Sequence, residues 1–399
     1  MARKVLALLA IIPLLLLPGG CWDRRETENL LLVDSIVFGK SNTGETEQYK
    51  VSFITARPSS GGGGQVGTGG EGGAAQAATQ WEAISYGSTL EEAIRKFSLR
   101  SPRHVYLAHN RIIMFEEGLA KEGISQVVDF LVRSRDIRLR NYVLVVKGHE
   151  PDLLTSSPQF EDTLAGELFS ILETSIGEGD YYYPSDLNIL AQDVLTNGQD
   201  PWAPFIETFS SAQTSTRSTS QSVIIKGTAL FKGGRLVGYL DAEETQRFLL
   251  LKGLSNSGIY DIESNGRKLS YRYQQAKVKR RLTVEDGRVN VYFDVKLKGL
   301  LEEIHFYTNL SKTEIDSLEK RLSAKAEAAL LETVNRCKEL GSDALGIGRL
   351  IHSRKPEIWK EISENWYSIY PEIGIVIDVK AQIAGTALGS KPIVPKTSE

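Results

Sequence analysis

The chain has 399 residues, room for two or three domains at about 150 residues each and enough to bury several cores. Its 41% hydrophobic and 24% charged content is that of a globular protein, which excludes a polytopic membrane protein, a collagen-like chain and a wholly disordered one. A net charge of −3 gives no global sign of nucleic-acid binding, and two cysteines exclude a disulfide-rich scaffold and a cysteine-built zinc finger.

Arg3 and Lys4 precede an uncharged run from Val5 to Leu17. A spanning helix needs about 20 apolar residues, so this shorter run reads as a signal peptide, residues 1–20. Pro18, Gly19 and Gly20 then lead into Cys21, in the manner of a bacterial lipobox, with Pro18 where leucine is usual. Cys21 is the expected site of diacylglyceryl and N-acyl attachment, followed by cleavage before it. Only Cys337 would then keep a thiol, so packing without a disulfide must hold the chain together. Each buried acyl methylene contributes about 0.8 kcal/mol, which predicts a protein anchored on a membrane.

Asn29–Lys40 and Tyr49–Ala56 read as strands. Ser59–Gln80 is dominated by glycine and has too little apolar surface to offset its ordering entropy, so it reads as a flexible insert. It lacks the G-x-x-x-x-G-K-[ST] pattern of a phosphate-binding loop. Trp81–Tyr86 is a further strand, and Ser88 or Thr89 caps a helix with Leu90, Ala93, Ile94 and Phe97 on one face. Short strands at His104–Ala108 and Arg111–Phe115, a helix over Leu119–Arg133 and a strand over Arg140–Lys147 follow. Helices over Thr163–Ser175 and Ser185–Asn197 complete an expected α/β domain, residues 21–198.

Residues 199–222 have the Ser/Thr-rich composition of a linker. Residues 223–270 read as a small hairpin-plus-helix domain, its strands turning at Gly233-Gly234 and its helix starting at Asp241. Residues 271–385 read as a C-terminal α+β domain. Two strands flank Glu285-Asp286-Gly287, and a capping box of Ser311 and Glu314 opens the clearest helix of the chain. Leu318, Leu322, Ala326, Leu330, Val334 and Cys337 lie on one stripe of that helix, and Gly341 stands at its C-terminal end. Asp343 reads as the N-cap of the next helical run, and Pro356 as the first turn of another that carries Trp359 and Trp366. Ile373–Ile383 alternates as a closing strand, and residues 386–399 read as a disordered tail. The fold class is α+β or mixed α/β, three domains of mixed sheets with packed helices.

Catalytic signatures are missing: the sequence contains no HExxH, G-x-S-x-G or CxxC. His104 and His109 are spaced for neither a helix face nor a strand face and read as structural. Cys337, on an apolar stripe, reads as a small hydrophobe. Gly346-Ile347-Gly348 reads as turn geometry. Two basic runs, Arg133 to Arg140 and Lys277 to Arg281, read first as solvated faces, with anionic lipid or a partner as the alternative. No catalytic residue, metal ligand or cofactor site is expected.

Cys21-Trp22-Asp23-Arg24-Arg25-Glu26 resembles the mature start of the Ger(x)C proteins, the lipoprotein C subunits of GerA-type nutrient germinant receptors of spore-forming bacteria. The resemblance continues at Gly227-Thr228-Ala229-Leu230-Phe231-Lys232 with Gly238, at Cys337-Lys338-Glu339, and at Asp343 to Gly348. It extends to Pro356, Trp359-Lys360 and Trp366; Glu339 stands where the family often has glutamine, and the long glycine-rich insert is a further difference. The resemblance implies a non-enzymatic spore germination lipoprotein, lipid-anchored on the outer face of the spore inner membrane. It would work with membrane-embedded A and B subunits of the same receptor, bind no nucleic acid, and fold as three α/β-type domains in an uncommon arrangement. Two other classes compete. A lipid-anchored solute-binding protein needs two similar lobes, which the hairpin-rich region 223–300 does not supply. A cell-wall hydrolase needs a placed carboxylate pair or metal site, and no such signature stands out.

Overall fold

The computed structural model describes residues 29–41, 47–56, 80–148, 150–154, 156, 158–174, 181–211, 220–264, 267–285, 288–304 and 311–386. Strands β1 (Leu30–Leu32), β2 (Ser35–Ser41), β3 (Gln48–Ala56) and β4 (Gln80–Gly87) lead to helix α1 (Leu90–Ser98). Then come β5 (His104–Tyr106), β6 (Ile112–Glu116), α2 (Glu117–Glu122), α3 (Ser125–Arg133) and β7 (Tyr142–Val146). Helices α4 (Glu150–Leu154), α5 (Leu164–Thr174) and α6 (Leu187–Leu195) precede β8 (Trp202–Ser211), β9 (Ser220–Lys232) and β10 (Arg235–Leu240). After α7 (Ala242–Lys252) come β11 (Gly258–Ser264), β12 (Arg267–Glu285) and β13 (Arg288–Ile304). The chain ends with α8 (Lys312–Glu339), α9 (Ile347–Arg354), α10 (Pro356–Ile362), α11 (Trp366–Ile369) and β14 (Gly374–Thr386). This is the mixed α+β class the sequence implies.

An eight-stranded sheet runs in the order β10-β9-β8-β7-β6-β2-β3-β4. Its centre, β2-β6-β7-β8, is parallel, and antiparallel hairpins extend both edges. Both faces are covered. Ile113, Phe115, Val143 and Val145 pack with α1, α2, α3 and α6, while Ile112, Met114, Leu144 and Val146 pack with α4 and α5. That is why β6 and β7 read as unbroken apolar runs. The Gly233-Gly234 turn has both glycines at positive φ (55° and 82°), as a two-residue hairpin requires. The β9–β10 hairpin pairs onto β8, and β8 begins inside the segment whose composition reads as linker. Trp202, Phe205 and Ile206 are the reason: they are buried apolar residues that serine-rich flanks outweigh in a compositional average.

A second sheet, β11-β12-β13-β14, is antiparallel except for the parallel β13–β14 pair. One of its faces packs Val291, Phe293, Val295 and Leu297 against the stripe of α8 formed by Leu318, Leu322, Ala326, Leu330 and Val334. The Ser311/Glu314 capping box is formed as the sequence predicts, and so is a second one at Asp241 and Glu244.

Some elements differ from expectation. The first strand breaks at Asp34, whose carboxylate accepts from the Ala56 amide at 3.0 Å while its carbonyl accepts from Arg111 N–H. The helix read over 119–133 is two helices, because Gly123 adopts φ 138°. The leader 1–20, Cys21 to Glu26, the insert up to residue 79, Asp286-Gly287 and the tail from residue 387 lie outside the described residues. Among the described residues no helix is long and apolar enough to cross a membrane.

Candidate functional site at the seam between the sheets

The residues that carry the family resemblance in the C-terminal half converge where the two sheets meet. The loop after α8 lies against the loop that enters β8. Asp343 N–H donates to Asp200 Oδ2 at 2.7 Å, and Asp200 N–H returns a bond to the Asp343 carbonyl at 3.1 Å. Asp200 Oδ1 accepts from Gly233 N–H (2.8 Å) and from the Tyr367 hydroxyl (2.7 Å). Asp343 spends its carboxylate on the start of α9: Oδ1 accepts from Ile347 N–H and Oδ2 from Gly348 N–H, both at 2.7 Å. Trp366 Nε1 adds a third donor at 3.2 Å. Asp343 thus caps the helix as expected, but from three residues upstream of Gly346, which occupies the N-cap position in left-handed conformation (φ 74°).

Glycines allow this approach. Gly198 has φ 77°, and a Cβ there would lie 2.6 Å from both the Gly348 carbonyl carbon and Trp359 Cη2. Gly348 meets Gly198 from the other side, and Arg349 N–H donates to the Gly198 carbonyl at 2.7 Å. Gly238 is pressed against Leu340, where a Cβ would come within 2.6 Å of Cδ2. Trp359 and Trp366 meet edge to face with centroids 5.3 Å apart, and Trp366 also contacts Tyr370 at 5.7 Å. Ser342 Oγ–H donates to the Phe231 carbonyl at 2.6 Å, which ties the same loop to β9.

The electrostatics follow from burial. Desolvation pushes the Asp343 carboxyl up to about 8, against the pull of its three N–H donors. Asp200 is raised for the same reason. Beside them a cleft of about 370 Å³ is lined by Asp193, Trp202, Lys252, Arg280 and Arg349. Lys252 Nζ donates to the Ala344 carbonyl at 2.7 Å and lies over Trp202 at 5.2 Å. Burial lowers Lys252 to about 8 and raises Asp193 to about 6. Arg280 is occupied by the Leu251 and Leu345 carbonyls, at 2.6 and 3.2 Å.

Other candidates fall elsewhere. Cys337 is fully buried in the core of the second sheet, and burial pushes its thiol up to about 12, the state of a packing residue. His104 is exposed, and His109 Nε2 lies 3.2 Å from Asp34 Oδ1. Glu116 and Glu150 are bridged by Lys50 Nζ at 2.7 and 2.8 Å, an ion triad on the first sheet. Among the described residues no group of three or more metal-capable side chains converges. Cys21 lies outside the described residues. Asp200, Gly198, Lys252 and Tyr367 were not legible as site residues. Asn197-Gly198 is a turn signal and Asp200 precedes a proline, but nothing local points across to Asp343.

Fold and joint together define a mixed α+β chain whose signature residues hold its two sheets together. Residues 23–208 match the sequence profile described as spore germination protein N-terminal domain, and residues 226–387 match spore germination B3/GerAC-like, C-terminal. The chain belongs to the GerAC family of spore germination proteins. It is similar to spore germination protein KC of Bacillus subtilis (strain 168), 26% identical with 98% of each chain covered. Spore germination protein B3 of the same organism is 23% identical, with 91% of this chain and 93% of the relative covered. The fold matches the crystal structure of the GerBC protein at a TM-score of 0.56 and 20% identity, covering 88% of this chain and 98% of that one.

Proposed function

We propose that this protein is a lipid-anchored, non-enzymatic subunit of a nutrient germinant receptor, held by acylated Cys21 on the outer face of the spore inner membrane. It acts there by assembly and coupling with the membrane-embedded A and B subunits. Membership of a spore germination family supports the process. The observation that favours the non-enzymatic part is the seam: Asp343 accepts from Ile347, Gly348 and Trp366, so the signature carboxylate is spent on holding the fold together. The lipobox reading of Cys21 supports the anchor, and a tether raises the concentration of the soluble part beside its membrane partners.

The test is genetic and biochemical together. Cys21→Ala is expected to release the protein from spore membranes and to impair nutrient-triggered germination, while wild-type protein co-purifies with two multi-spanning subunits. A Cys21→Ala protein that stays membrane-bound after high-salt washing refutes the anchor. Normal germination in its complete absence refutes the receptor role.

A further inference from the structure

The basic run Lys277 to Arg281 is split by the strand period. Arg280 turns inward to the seam cleft, while Lys277, Lys279 and Arg281 point to the other side of β12. There Lys277 meets cations from two more strands. Lys277 is directly paired with Lys296 of β13, and Lys296 with Lys380 of β14, so three lysines stand in one cross-strand row. Lys298 follows one step along the same face, and all four lysines are exposed. The anions of this face are engaged or few: Asp294 is held bidentate by Arg281 at 2.5 and 2.8 Å with Lys279 and Lys380 nearby, Glu302 pairs with Arg272 at 3.3 Å, and Asp378 stands beside Asp294. Among the described residues none of these four lysines has an ion-pair partner.

Like charges directly opposite across strands destabilise a sheet, so this row works against the fold that carries it. An anionic surface laid on the face would reverse the sign. We propose that the outer face of β12, β13 and β14 is a docking surface for anionic lipid headgroups, centred on Lys277, Lys296 and Lys380. This rests on the membrane location proposed above. Lysine chemistry favours lipid over an acidic protein. Protein interfaces are depleted in lysine at their centres and built on aromatic and arginine anchors. Here compact, flexible point charges are spread over a flat three-stranded surface, which suits a layer of mobile phosphates.

The experiment uses the mature chain, residues 21–399, with Cys21→Ala, so that neither acyl chains nor the leader dominate binding. It is mixed with vesicles of phosphatidylcholine alone and of phosphatidylcholine with phosphatidylglycerol, at low and high salt. Phosphatidylglycerol is expected to increase binding, and salt to remove the increase. In the same background, K277E/K296E/K380E should lose the increase by about tenfold or more, with an unchanged melting temperature. The corresponding triple lysine-to-glutamine variant gives the same reading if charge reversal disturbs folding. An increase that survives both triple variants overturns the proposal, as does competition by poly-glutamate at lower charge concentration than the vesicles. Loss of neutral-vesicle binding between the acylated wild type and Cys21→Ala reads the anchor separately, so the two ideas fail independently.

Discussion

The two sheets solve burial in different ways. The first is covered on both faces, so neighbouring residues such as Ile113 and Met114 enter different cores. The second is covered on one face only: Phe293 is buried and its neighbours Tyr292 and Asp294 are not. A sheet with two cores has no face left for a partner. A sheet with one core has a free face whose residues are chosen by something other than packing.

Substitutions on either side of each sheet would break or sharpen this contrast. Phe293→Ala should cost about 4 kcal/mol in chemical denaturation, whereas Tyr292→Ala costs under about 1 kcal/mol. Equal losses would mean that the second sheet is covered on both sides. Ile113→Ala and Met114→Ala should each cost about 3 kcal/mol, because neither side of β6 faces water. A neutral result at either would remove one of the two cores.

Asp343→Ala strips an acceptor from three buried donors and should cost about 3 kcal/mol. Its titration has a definite sign. The folded carboxyl titrates at about 8, and the unfolded one at about 3.9. Folded chains therefore hold a proton that unfolded chains release. The stabilisation is complete below the unfolded value and is lost as pH rises through the folded one. Melting temperature should fall between about pH 4 and about pH 8, and Asp343→Asn should flatten that slope; an unchanged slope assigns the proton elsewhere. Cys337→Ala should cost about 1 kcal/mol for a small cavity and leave germination intact. A variant that melts normally yet fails in germination would give the thiol a direct role. The smallest effect is Lys296→Gln, expected to stabilise by about 0.3 kcal/mol through relief of the lysine row, measured at low salt.

Much of this was legible in the sequence where local rules suffice. Alternation in Val291 to Leu297 and the α8 stripe both follow from one apolar environment met at a fixed period. The capping box at Ser311 is local chemistry and was read correctly. Gly123 is a case where the pattern misled, since apolar spacing ran on through a residue whose backbone breaks the helix. The seam was half legible. Asp343 and Gly346-Ile347-Gly348 stand out, but Asp200 lies 143 residues away and becomes a partner only through the fold. The lysine row was invisible for the same reason, because Lys277, Lys296 and Lys380 share a row only through strand register.

The parallel pairing of β13 with β14 sets an order of events. Antiparallel neighbours can zip from a short turn, but β14 must return past α8, α9, α10 and α11 before it can pair. Its residues are the last of the second sheet to be synthesised. β11, β12 and β13 therefore wait, with the apolar side of Val291 to Leu297 short of its final edge, until β14 has been made. The β13–β14 pairing is the distant contact of this sheet, and closing it costs more loop entropy than the adjacent hairpins do. The last edge of the second sheet is thus tied to the packing of the helices that precede it: β14 can seat on β13 only once α8 is in place across the sheet.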